Sequence, residues 1–100
     1  MLSFRLEEIR LDNEPQDFAS AHLYLPEDEE LGPWRVTFAS ERDPMLEPSD
    51  ERLGLALRAE GHVRLVGMGH VTNVRFGADG AFVEIMGEGE LDGVTDLGDL

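Results

Sequence analysis

Apolar residues recur at every second position over most of this chain. Between residues 2 and 11 they fall at Leu2, Phe4 and Leu6, then at Ile9 and Leu11, so the alternation holds on either side of a break at Glu7-Glu8. Period-two alternation marks a half-buried strand. A change of parity inside one means an extra residue, which predicts a bulged and bent first strand. Residues 13–17 then read as a polar turn in which Pro15 cannot donate to a ladder. Residues 18–25 set Ala19, Ala21, Leu23 and Leu25 against Ser20, His22 and Tyr24, a strand with one wet face. Trp34, Val36 and Phe38 alternate with Arg35, Thr37 and Ala39, a further strand with Trp34 expected in the core or at its edge.

Two connections stand out between these strands. Glu27, Asp28, Glu29 and Glu30 are four consecutive acids and read as a solvated loop tip. Residues 40–52, SERDPMLEPSDER, hold two prolines and little periodicity. They are long for a connection, so they are expected to fold over the body of the protein or to carry function.

Residues 53–60 fit two templates. As a strand, Leu53, Leu55, Leu57 and Ala59 share one face. As a helix near residues 49–60, Ser49 caps the start and Gly61 supplies the left-handed residue at the end. Gly54 in mid-segment costs a helix about 1 kcal/mol, so a strand is the expectation and the helix the alternative.

The stretch 61–85 is the richest in β-branched and aliphatic residues, and its parity changes repeatedly: Val63 and Leu65, then Val66 and Met68, then Val71, then Val74 and Phe76. One long coiled strand passing from one sheet to the next, with its corner at Gly67 and Gly69, accounts for the changes. A turn at Gly77-Ala78-Asp79-Gly80 sends the chain back through Ala81, Val83 and Ile85, which alternate with Phe82, Glu84 and Met86. After Met86 the sequence GEGELDGVTDLGDL holds four glycines and five acids. It predicts a mobile acidic tail over 88–100, in which only Leu91 and Val94 are able to dock.

The fold expected is therefore all-β: five to seven antiparallel strands over 1–87, closed into a small barrel or a compact two-sheet sandwich. The alternative is α+β, with one helix near 49–60. One hundred residues suffice for one hydrophobic core and not for two.

Charge adds a second layer. The 22 acids outweigh eight bases, all arginine, for a net charge of −14. The stretch 61–85 is neutral, with Arg64 and Arg75 against Asp79 and Glu84, so the whole excess lies outside it. Such a field repels nucleic-acid backbones and anionic membranes and favours basic partners. With no cysteine there are no disulfides and no thiolate metal sites. No apolar run approaches the roughly 18 residues of a membrane span, and Arg5, Glu7, Glu8 and Arg10 interrupt any apolar leader, so a cytoplasmic location is expected.

Candidate chemistry is thin. Ser20 and His22 share a strand face, and His62 and His70 lie in the central stretch, but a nucleophile needs a base in reach and a third group to orient it. Carboxylates at 27–30 and at Asp92, Asp96 and Asp99 suit hard cations, yet their spacing fits no calcium loop, and solvated acid is the better reading. Gly67, Gly69, Gly77 and Gly80 lie among strand residues with no lysine near, so they do not form a phosphate loop. No catalytic residue, metal or cofactor is expected. The functional expectation is a non-enzymatic acidic module that engages a basic macromolecule through Glu27, Asp28, Glu29, Glu30, Glu41, Asp43 and Glu47 and the tail. The alternative is a structural subunit of a homo-oligomer or larger assembly, with contacts through Tyr24, Phe82 and Met86. A third reading is a small-ligand or metal-dependent enzyme on the barrel, which requires a histidine beside carboxylates in a closed pocket.

Overall fold

The alternating segments form seven strands in a computed structural model of the chain, which describes residues 2–26 and 33–94. They are β1 (Leu2–Leu11), β2 (Glu14–Pro15), β3 (Ser20–Leu25), β4 (Arg35–Ser40), β5 (Leu53–Ala59), β6 (Val63–Gly77) and β7 (Gly80–Asp92). Six of them close an antiparallel barrel in the order β1-β3-β4-β7-β6-β5, with β5 returning to β1, and β2 adds to the edge of β1.

Closure depends on the first strand. Residues 2–5 pair with 22–25 of β3, whereas residues 6–11 pair with 55–59 of β5, and the register shifts between Leu6 and Glu8. The bulge expected at Glu7-Glu8 is thus the place where one strand leaves one neighbour for another. A bulge bends a strand and increases its twist, which is what a sheet of six strands needs to meet its own edge. Leu6, Ile9 and Leu11 stay inward on both sides of it and are buried with Leu23, Val36, Phe38, Leu55, Leu57, Leu65, Val83 and Ile85.

Residues 53–59 are strand, not helix. Leu55, Leu57 and Ala59 point into the core. Gly61 (φ 82) lies in a short 3-10 turn over Glu60–His62 that leads into β6. Pro15 belongs to a two-residue strand and not to a plain turn, because Asp12 and Asn13 (φ 49 and 70) make the reversal and set Glu14 and Pro15 against Leu11 and Arg10. An edge position needs no ladder donor from proline.

The central strand is the single long one expected, but it stays within one closed sheet instead of passing between two, and its interior is filled differently. Val66 and Met68 are on the outer face, the first 55 % exposed. The inward positions between Leu65 and Val71 are glycines, Gly67 and Gly69, and the space that side chains there would take belongs to other residues. A Cβ at Gly67 would come within 2.9 Å of the Trp34 ring and 3.0 Å of Leu91, and one at Gly69 within 2.6 Å of the Met86 carbonyl. The register shifts fall between Val66 and Met68 and between Val71 and Asn73. At the second, the Thr72 hydroxyl donates to the Glu84 carbonyl at 3.2 Å.

Trp34 lies at the centre of this arrangement. It is 5 % exposed, its ring covers Gly87 and Gly67, and its Nε1–H donates to the Gly89 carbonyl at 3.1 Å. The tail boundary drawn after residue 87 is corrected by the same contacts. β7 runs on to Asp92 because Leu91 is buried against Gly67, and Val94 packs on the core. Docking of these two apolar residues, which the sequence allows within an otherwise mobile tail, carries the acidic residues Glu88 and Glu90 into the strand. Residues 95–100 lie outside the described residues.

On the outer face Glu8 joins β1 to β5, taking Arg10 Nε at 2.7 Å and lying 3.4 Å from Arg58 Nη1. The Arg10 hydrogen bond, with the charges of Arg10, Arg58 and Arg64, holds its carboxyl below the ordinary range against a smaller opposing effect of burial. A depressed carboxylate contributes stability above its unfolded pKa, about 4.3, and loses it as pH falls through the lower folded value. Glu8→Gln is therefore expected to be less stable than wild type at neutral pH, with the difference closing below about pH 4.3. Denaturant midpoints measured across that range check it; a gap independent of pH counts against the pairing.

Candidate functional site

The long connection between β4 and β5 folds over the barrel. Its entry is fixed where Ser40 and Glu41 press on Gly80, a glycine of φ +129 whose Cβ would run into the Ser40 carbonyl. Ser40 Oγ accepts the Arg42 amide at 3.2 Å, and Asp43 Oδ1 accepts the Met45 amide at 2.9 Å. Asp and Ser side chains stabilise turns in this way by standing in for backbone acceptors. Farther on, the Ser49 amide donates to the Val71 carbonyl of β6 at 3.0 Å and Ser49 Oγ accepts the Glu51 amide at 3.0 Å. Leu46 packs on the core.

Between this loop and β6 runs a groove of about 590 Å³. Its apolar lining comes from Leu46, Pro48, Leu53, Val71 and Phe76, with Met45, 84 % exposed, beside them. Phe76 is on the inward side of β6, opposite buried Ala81, yet the residue is 66 % exposed, because the strand has passed the last core layer there. Asp43, Glu47 and Glu51 line the same groove and no basic residue does. None of the three carboxylates is ion-paired among the described residues. Of the loop's arginines, Arg52 lies 3.5 Å from Glu88, and Arg42 lines a separate hollow with Asp17 and Phe18.

Sequence had pointed to part of this site. Asp43 and Glu47 lie in the groove, while Glu41 is exposed beside the β6–β7 turn and lines other hollows. Glu27, Asp28, Glu29 and Glu30 lie outside the described residues. Glu51, and Leu53, Val71 and Phe76 beneath it, were not singled out. The change of parity that puts Phe76 beyond the core was visible, but its meeting with the loop was not.

The three outer-face residues do not form one patch. Tyr24 and Met86 are separated by Arg35, which pairs with both in register and whose guanidinium lies 5.5 Å from the Tyr24 ring centroid. Glu84, 4.0 Å from Arg35, stands between Phe82 and Met86 on β7.

The histidines are dispersed. His22 lies against Tyr24 with ring centroids 6.2 Å apart, and His62 is exposed in the 3-10 turn with φ 64. His70 Nδ1 is 3.7 Å from Glu88 Oε2, beyond hydrogen-bond distance. No three of the His, Asp and Glu side chains among the described residues converge as a metal would require. Among the described residues no helix is long and apolar enough to cross a membrane. No family model, curated protein or solved structure matches the chain.

Proposed function

We propose that this chain is a non-enzymatic binding module that takes a basic partner in the groove beneath the 41–52 loop. The observation that supports the reading is the lining of that groove: three carboxylates with no ion pair among the described residues, and no base, over an apolar floor that includes an exposed phenylalanine. A lysine or arginine side chain suits such a place at each point. Its methylene stem lies on Leu46, Leu53 and Val71, its cation meets Asp43, Glu47 or Glu51, and the face of Phe76 attracts it further. The surrounding field of a −14 protein speeds the approach of such a partner and selects for its charge. The partner class is thus a protein segment in which arginine or lysine adjoins apolar residues.

A synthetic peptide alternating arginine and leucine is the probe. Since any acidic protein attracts a cationic peptide, the test is a comparison at equal charge. The triple variant D43N/E47Q/E51Q and the control E7Q/E14Q/E60Q each remove three negative charges from exposed positions. The groove variant is expected to bind about tenfold more weakly than wild type at about 50 mM salt, and the control less than about threefold more weakly. Equal losses in both would reduce the binding to net charge and remove the groove from it.

A further inference from the structure

The outer face of β1, β5 and β6 carries the opposite charge. In register across these strands run Glu8, Arg58 and Arg64, and beside them Arg10, Ala56 and Val66. Three of the chain's eight arginines thus surround one carboxylate. Like charges set directly opposite on paired strands are destabilising, and Arg58 and Arg64 are such a pair. Glu8 is engaged by Arg10 and Arg58, whereas Arg64 has no ion pair among the described residues. Arg58 Nε is out of contact with solvent and has no hydrogen-bond partner. Among the described residues that line this spot, Glu8 is the one carboxylate. Local arrangements that cost stability in this way are expected where a site is kept for function.

The relief of the face fits a small ligand. Ala56 is an outward residue of the middle strand and too short to fill its place, so a short trough opens over β5 between Arg10 and Val66. The hollow there is about 370 Å³, lined by Glu8, Arg10, Ala56, Arg58, Arg64 and Val66 among others. Asp92, opposite Val66 on β7, is not part of its lining. Guanidinium groups present paired donors that match the oxygens of a carboxylate or phosphate, and Arg58 and Arg64 supply two of them at one end of a trough floored by a methyl group. We propose that this cleft binds a small anionic molecule, its carboxylate or phosphate head held by Arg58 and Arg64 and an apolar body lying on Ala56 and Val66.

Amide and arginine Nε–H shifts of the full chain, titrated with inorganic phosphate and separately with hexanoate against a sodium chloride baseline, test the proposal. Saturable shifts at Ala56, Arg58, Arg64 and Val66, with a Kd of the order of 1 mM for at least one probe, are expected, and the probe that saturates identifies the head group. Arg64→Gln, which breaks no ion pair among the described residues, is expected to weaken that binding at least tenfold with the rest of the spectrum unchanged, and Arg42→Gln on the distant loop to leave it as it was. Shifts no larger than those in chloride for both probes, or an unchanged Kd in Arg64→Gln, would overturn it.

Discussion

Replacing Trp34 with alanine is expected to lower the unfolding free energy by about 3–5 kcal/mol, the range for removing a large aromatic side chain from a core. The ring is 5 % exposed and fills the interior where three inward positions, Gly67, Gly69 and Gly87, are glycines, two of them directly beneath the indole. Glycine backbone cannot move in to replace what is lost, so the void persists and the cost falls toward the upper end. The Nε1–H bond to the Gly89 carbonyl adds about 1 kcal/mol and also holds β7 where residues 89–91 stand opposite Gly67 alone. Against a typical total of about 5–15 kcal/mol, this is a large fraction. Equilibrium unfolding in denaturant measures it, and a loss under about 1 kcal/mol would mean that the indole is not the plug described.

Gly87→Ala is expected to be strongly destabilising. A Cβ at this position runs into Trp34 Cδ2 and Cε2. The ring also lies against Gly67 and is held by its own hydrogen bond to the Gly89 carbonyl, so the clash has no cheap release. Overpacking of this kind costs about 1–3 kcal/mol and occasionally more. In the Trp34→Ala background the same methyl group enters the vacated space, and its cost is expected to vanish or change sign. The coupling in that double-mutant cycle isolates the contact; a cost for Gly87→Ala that is equal in both backgrounds would refute it.

Local features of the fold were legible where the information is local. The parity break at Glu7-Glu8 and the strand over 53–59 follow from alternation within one segment and the turn at Gly77 to Gly80 from its turn residues, and the structure has each of them. The extent of β7 was not legible. Glycines and acids at 87–90 argue for a tail by composition, and only the burial of Leu91 beside Gly67 makes ordering them worthwhile. The functional surfaces divide in the same way. An acidic loop at 41–52 is plain in the sequence; a groove with Phe76 beneath its carboxylates requires the loop to cross a strand some thirty residues away.

By itself, the sequence determined that this chain is mostly β, that its length suits one core, that its charge lies outside the central stretch and that its first and longest strands break parity. These follow from a side-chain period of two and from where that period slips. Tertiary structure alone decided which strand closes the barrel on β1, that one indole fills the space left by glycines on two other strands, and which charges meet. Arg10, Arg58 and Arg64 are scattered in the chain and adjacent on the surface, because register between distant strands is set by the packing of the whole core, and no window of sequence contains it.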